Sequence, residues 1–387
     1  MKFELDNNEL KIYLSGNIDS TNAKDAENDI QEIIKKNRFE KLVIDAKDLS
    51  YISSAGLRII LVLMRTYPGF QIINCNNEVY DVFEITGFTQ MMTIKKAYRE
   101  FDISNCVKIG EGAKGIVYRF NEDIIVKVFK YSDALDDIER ERNISKEAFI
   151  LGIPTAISYD IVKVGDKYAA VYELLKSSSM SELIAKNPNK IDFYAAEYAR
   201  LLKIVHETMD LKGVFESVKR TPKRWLKKCS ELLKKESAEK IEKMIDEMED
   251  EKYLVHGDFH SSNIMLQDKE FLVIDLDTLK YGNPIIDLAI IDFAYSSLNQ
   301  YVKNNSLSFL GIEEELAIKF YEAFLKLYFD GVSKDKMERN LRKIRLLSLM
   351  RVIGHLPGHE NEKEMTQQAV HEIEALLPLV NDFNLEK

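Results

Sequence analysis

Two carboxylates and one carboxamide, set close together in one stretch, are the residues of this chain best placed to carry a group transfer. From Tyr253 to Asp277 it reads YLVHGDFHSSNIMLQDKEFLVIDLD. An apolar run ends at His256, Gly257 and Asp258, Asn263 follows Asp258 by five residues, and a second apolar run, FLVI, delivers Asp275. Phosphoryl transfer from ATP needs a carboxylate that orients the acceptor hydroxyl and takes its proton, together with oxygen ligands that hold magnesium against the phosphates. Asp258 suits the first role; Asn263 and Asp275 suit the second. A polar turn between two core strands would account for any one of these residues, since Asp and Asn favour turns. It does not account for the full set in this order.

Such a site needs elements that position the nucleotide, and the region upstream offers them. VKIGEGAKGIVYRFNEDIIVKVFK carries Gly110, Gly112, Gly115 and Val117 in the pattern GxGxxGxV, a turn at Asn121-Glu122-Asp123, and Lys127 inside an apolar strand. Glycines let backbone N–H groups approach phosphate oxygens, and a lysine on the next strand can neutralise them. The helix-prone stretch ALDDIERERNISKEAFI that follows offers Glu139, Glu141 and Glu147 as partners for Lys127.

HGDFHSSN followed by IDLD resembles the catalytic segments of the aminoglycoside phosphotransferase and choline kinase-like branch of the protein-kinase-like fold, where HGDxHxxN stands in place of HRDxxxxN. The resemblance implies a bilobal α+β phosphotransferase that uses ATP and Mg2+. Asp258 would be the catalytic base, Asn263 and Asp275 the magnesium ligands, and Gly110, Gly112, Gly115, Val117 and Lys127 the nucleotide contacts. Counting back from GIPT, which follows the corresponding helix in that family, selects Glu141 as the partner of Lys127. TAISYDIVKVGDKYAAVYELL reads as two strands around Gly165-Asp166 and ends at Glu173, Leu174 and Leu175, where the hinge that binds adenine belongs. Asp287, in GNPIIDLA, corresponds to the family's buried aspartate. An acid in so apolar a run must be paired to be tolerated, and with His256 it is expected to support the catalytic loop, which His260 helps to shape. Asp277 is left with two roles, a second-metal contact or a backbone hydrogen bond. His206 reads as a packed helix histidine, because no second metal ligand is spaced with it.

The first hundred residues alternate differently. Residues 2–5 and 10–16 form a strand hairpin around Asp6-Asn7-Asn8, Ser20 or Thr21 caps a helix ending near Lys36, and LVI is a buried strand. A helix begins near Ser54, a strand covers 70–75, a short helix lies around Asp81 to Thr86, and a strand lies near Met92 to Ile94. Strands alternating with helices imply an α/β sheet. LVIDAKDLSYISSAGLRIIL, with Gly87-Phe88 further on, resembles the STAS domain of anti-sigma-factor antagonists, whose regulatory phosphorylation site is the serine two residues before the glycine. That position is Ser54, preceded by Ser53 where the family often has aspartate. A hydroxyl at a helix start is also a common N-cap, whereas a phosphate there would add about −2 charge and alter the surface shown to a partner.

The whole is read as an α/β STAS-like domain at 1–104 and a phosphotransferase domain at 105–387, its small lobe about 105–175 and its large lobe about 176–387. A net charge of −10 over 387 residues argues against a general binder of nucleic acid or anionic membranes. Three cysteines without ligand or disulfide spacing fit a reducing cytoplasm, and no segment reads as a signal peptide or membrane span. The basic run from Lys219 to Lys228 around Trp225, the only tryptophan, reads as a solvated helix face. The helices after Ser306 read as core, and the resemblance makes them one wall of the acceptor pocket. The missing APE-like segment favours a small hydroxyl compound as acceptor. Two alternatives stand beside it: a protein serine, on Ser54 or on a partner STAS domain, and a non-catalytic ATP-binding regulator of a partner switch.

Overall fold

The computed structural model describes residues 1–112, 114–156, 158–174 and 178–386, and divides into the units Met1–Asp102 and Ile103–Lys387. In the first unit, Asn7 and Asn8 take φ of 47° and 65° and turn β1 (Lys2–Asp6) into β2 (Glu9–Ile18). Asn tolerates that left-handed pair better than most residues, so it sets the hairpin. There follow α1 (Ala23–Lys36), β3 (Lys41–Ile52), α2 (Ser54–Thr66), β4 (Gln71–Cys75), α3 (Asn77–Ile85), α4 (Phe88–Met91), β5 (Thr93–Lys96) and the short β6 (Arg99–Glu100). The sheet runs β1-β2-β3-β4-β5, antiparallel at the first pair and parallel thereafter. Ile30 and Ile34 of α1, and Ile59, Ile60 and Leu63 of α2, are buried in its core at helical spacing. A Cβ on Gly56 would lie 2.6 Å from Ile52 Cγ1 and 2.9 Å from Ile18 Cγ2, so only glycine lets α2 seat this closely on the sheet.

Two helix starts differ from the sequence reading. Helix α1 begins after Asn22, because Asp19 instead accepts the N–H of Thr21 (2.8 Å) and its hydroxyl in a turn ahead of the helix. Helix α3 begins at Asn77 and not near Asp81, because Asn76 caps it by accepting from the N–H of Val79 at 2.8 Å.

In the second unit, β7 (Val107–Glu111), β8 (Gly115–Arg119), β9 (Ile124–Phe129), β10 (Ser158–Val164) and β11 (Lys167–Glu173) pair antiparallel in the order β10-β11-β9-β8-β7. Helix α5 (Leu135–Ile150) packs on this sheet. The rest is mostly helical: α6 (Met180–Lys186), α7 (Ile191–Glu207), α8 (Arg220–Cys229), α9 (Lys235–Asp246), α10 (Ile285–Asp292), α11 (Asn305–Leu310), α12 (Glu314–Tyr328), α13 (Lys334–Ile353) and α14 (Glu362–Leu376). Between α9 and α10 lie β12 (Leu254–Val255), the hairpin β13 (Ile264–Gln267) and β14 (Glu270–Val273), and β15 (Lys280–Tyr281), which pairs with β12. Every residue of α10 is buried, and each large aliphatic side chain there contributes roughly 1.5–3 kcal/mol, which makes the helix a fixed anchor for Asp287 in its first turn. Among the described residues, no helix is long and apolar enough to cross a membrane.

Candidate active site

Asp287 has no exposed surface, and three donors converge on it. The N–H of His256 reaches Oδ2 at 2.7 Å, the N–H of Gly257 reaches Oδ1 at 2.7 Å, and His206 Nε2 lies 3.0 Å from Oδ2. The other nitrogen of His206 meets the Tyr328 hydroxyl at 2.7 Å. His206 is therefore a packed helix histidine, as read from the sequence, but it also carries the loop's anchor. Gly257 has φ of 82°, and a Cβ there would lie 2.7 Å from the Thr278 carbonyl oxygen, so the turn into the loop admits only glycine. The Thr278 hydroxyl donates to the His256 carbonyl at 2.7 Å. His256 Nδ1 accepts from the N–H of Asp258 at 3.2 Å, and burial holds the ring below its usual pKa against the pull of Asp287 and Asp258.

The far end of the loop is held as firmly. Tyr295 donates its hydroxyl to Ser261 Oγ (2.7 Å) and accepts the N–H of Ser261 (2.8 Å), while Tyr198 donates to the Phe259 carbonyl at 2.9 Å. Asn263 Nδ2 closes the loop on itself by donating to the Asp258 carbonyl at 3.1 Å. The backbone N–H of Ile274 then donates to the Asn263 carbonyl at 2.9 Å, which brings Asp275 beside Asn263. Asp275 sits at φ 60° and ψ 57°, a left-handed conformation that costs a non-glycine residue about 1–3 kcal/mol and persists where the surroundings impose it.

Around the Asp258 carboxylate stand two cationic or polar groups. His260 Nε2 is 3.6 Å from Oδ2, and a guanidinium nitrogen of Arg351 on α13 is 3.9 Å from Oδ1. Burial pushes the Asp258 carboxyl up, but His260, Arg351 and His256 together outweigh it and leave the group below the usual range.

On the sheet side, Lys127 in β9 donates to Glu141 Oε1 at 2.8 Å, and the Tyr172 hydroxyl donates to the same oxygen at 2.9 Å. Of the three glutamates weighed in the sequence, Glu141 is the buried one, whereas Glu147 pairs with Lys212 at 2.9 Å. Burial, then the charge of Glu141 and its hydrogen bond and the charge of Asp275, hold Tyr172 well above the usual phenol range. Val117 faces Lys127 in the ladder and Gly110 faces Val117. A Cβ on Gly115 would come within 2.8 Å of the Val128 carbonyl oxygen; one on Gly110 or Gly112 would meet nothing nearer than 3.8 Å. Packing within the chain thus demands glycine only at Gly115. Lys114, between these glycines, pairs with Asp277, a partner that neither sequence reading of Asp277 named. Glu173 ends β11 and accepts from Gln267 Nε2 (3.0 Å) and the Tyr159 hydroxyl (3.3 Å), while the N–H of Leu174 donates to the Asp123 carbonyl at 2.7 Å. Leu175 lies outside the described residues. In the first unit Ser54 is the exposed first residue of α2, and the capping oxygen belongs to Ser53, which accepts from the N–H of Ala55 at 3.2 Å.

Residues 105–300 match the phosphotransferase enzyme family, APH, and residues 2–101 match the STAS domain. A candidate anti-sigma factor antagonist of Bordetella bronchiseptica, BtrV, is 33% identical over 85 residues, 21% of this chain and 72% of its own length. Among solved structures, the amicoumacin kinase hAmiN in complex with AMP-PNP, Ca2+ and Ami is similar at 17% identity and TM-score 0.49, covering 74% of this chain and 92% of that one. The streptomycin–ATP ternary complex of APH(2″)-IIa is similar at 19% identity and TM-score 0.46, covering 71% and 93%. A choline/ethanolamine kinase family protein from Mesorhizobium loti is similar at 13% identity and TM-score 0.45, covering 71% and 92%. The chain belongs to the phosphotransferase enzyme family through residues 105–300 and carries a STAS domain ahead of it at residues 2–101.

Proposed function

We propose that this phosphotransferase moves the γ-phosphate of Mg·ATP to a hydroxyl of a small molecule, with the STAS domain as a regulatory or docking module. The observation that carries this reading is the tie between Asn263 and Asp258 (3.1 Å) in a loop whose following strand brings Asp275 alongside. The donor set suits magnesium. With Nδ2 of Asn263 committed to Asp258, its Oδ1 remains free to ligate, and the Asp275 carboxylate accepts no hydrogen bond from any described residue. Two uncommitted hard oxygens are what this ion takes from protein beside phosphates and water. When bound, magnesium neutralises charge on the phosphates.

The chain's own residues do the rest. Lys127, oriented by Glu141 and Tyr172, contacts phosphate oxygens, and the bare backbone at Gly110 and Gly112 leaves room for them. The end of β11 at Glu173 supplies the adenine contacts. Asp258 orients the acceptor hydroxyl and takes its proton onto a carboxylate oxygen as the hydroxyl oxygen attacks phosphorus. His256 and Asp287 hold that carboxylate's backbone in place. The test is ADP release by the purified chain with Mg2+, ATP and a pool of hydroxyl compounds, comparing wild type with Asp258→Asn and Asp275→Asn. Loss of turnover in both variants with ATP still bound supports the reading; turnover that survives Asp258→Asn refutes it.

A second acceptor is favoured by one observation: Ser54 is exposed, and Ser53 relieves it of capping. Intact mass after incubation with Mg·ATP decides this, since phosphate on the protein that requires both Ser54 and Asp258 would make the chain its own substrate.

A further inference from the structure

Helix α13 carries two arginines of similar burial and opposite circumstances. The Arg345 side chain is 15% exposed and fully engaged: Nε and Nη2 grip Glu372 at 2.7 and 3.0 Å, and the remaining donors reach Ser297 and Gln300. The Arg351 side chain is 17% exposed, and its guanidinium donates no hydrogen bond to any described residue. It lies over the ring of Phe293 at 4.5 Å and over Trp225 at 5.9 Å. Among the described residues, Asp258 Oδ1 is the one acidic oxygen within 4 Å of the guanidinium, at 3.9 Å and too long for a hydrogen bond, and the charge of Asp287 acts on it from further off. The rings fix the orientation of the plane but satisfy none of its five N–H donors. None of the guanidinium nitrogens is among the buried unpartnered polar atoms, so the fork opens to solvent with its donors uncommitted to the chain and available to a ligand oxyanion.

We propose that the acceptor is an anionic hydroxyl compound whose carboxylate or phosphate seats on Arg351, beside Trp225 and Phe293, while its hydroxyl faces Asp258. This rests on the phosphotransfer reading for the identity of Asp258 as base. The guanidinium fork matches planar or tetrahedral oxyanions. A polycationic acceptor would bring like charge against Arg351. An anion relieves it, and also loosens the hold of Arg351 on Asp258, leaving the carboxylate to the hydroxyl.

Trp225, the only tryptophan, reports on the site directly. Its emission is titrated in the full chain with glycerate, glycerol 3-phosphate, glycerol and ethanolamine, and ADP release with Mg·ATP is measured for each. The expected result is a saturable change with one or both anionic probes and none with the other two, the two anions separating a carboxylate from a phosphate site. Arg351→Met weakens that binding about 10- to 100-fold, and Arg351→Lys restores part of it, with melting temperatures close to wild type. Preference for ethanolamine, absence of binding by both anions, or anion binding that Arg351→Met leaves unchanged overturns the proposal. Arg351-dependent anion binding without ADP release sinks the phosphotransfer reading alone; ADP release with ethanolamine and no anion binding sinks this one alone.

Discussion

Asp287→Asn tests whether the catalytic loop is held through a single buried carboxylate. An asparagine placed with its oxygen where Oδ2 stands still accepts from the N–H of His256 and from His206, but both bonds change from charged to neutral. Its NH2 then faces the N–H of Gly257, which loses the acceptor it had at 2.7 Å and is left as an orphan donor. Hydrogen bonds to a charged group are worth about 1.5–3 kcal/mol against about 1 for neutral ones, and a buried unsatisfied donor costs about 1–3. The unit Ile103–Lys387 is thereby expected to lose about 3–5 kcal/mol and to melt about 10 °C lower. Thermal and urea unfolding followed by Trp225 emission report that unit, since the tryptophan lies within it. ATP affinity, which the proposed function places at Lys127 and Glu141, is expected to change less than turnover. A loss below about 1 kcal/mol with turnover within twofold of wild type would show that other contacts fix the loop and refute the reasoning.

Glu141→Ala removes the partner of Lys127 at 2.8 Å and is expected to weaken ATP about 10- to 100-fold, with Tyr172→Phe weaker by less than about tenfold, both read by nucleotide titration. Asp258 has its pKa depressed in the fold, so its contribution to stability is present above the unfolded value of about 3.9 and is lost as pH falls through the lower folded value. The acid limb that Asp258 sets in kcat/KM therefore falls below about pH 4, and Arg351→Met, which removes a neighbouring cation, moves it upward; a pH–rate profile with no upward movement contradicts this. Ser53→Ala is expected to destabilise the Met1–Asp102 unit by about 1 kcal/mol and Ser54→Ala by less than about 0.5 in urea unfolding, the reverse order being the contrary result.

The two lysine pairs of the nucleotide side differ in physical kind. Lys127 and Glu141 are 20% and 8% exposed, so solvent screens them weakly. Lys114 is 41% exposed at its contact with Asp277 and sits on the glycine segment, where water and salt compete for it. The first pair belongs to the interior of its unit; the lysine of the second stands open to solvent.

How much of this was legible in the sequence follows from where each contact's two ends lie along the chain. The loop from His256 to Asn263 closes on itself within a few residues, so its spacing records its geometry, and the Asn7-Asn8 hairpin is local in the same way. The starts of α1 and α3 were displaced because Asn22 and Asn76 stand at those boundaries, and Asp19 makes a turn where a serine or threonine cap was expected. His206 and Arg351 left no comparable trace, since their partners Asp287 and Asp258 are far off in the chain and meet them only when α7 and α13 pack. The basic run of α8 read as a solvated face, and Arg220, Lys223, Arg224, Lys227 and Lys228 are exposed, while Trp225 on the same helix turns toward Arg351. A catalytic carboxylate must be held by its own loop whatever the acceptor, so its pattern is written contiguously. An acceptor seated as proposed would instead be met by side chains from separate helices, Trp225 on α8 and Arg351 on α13, which come together only where those helices converge.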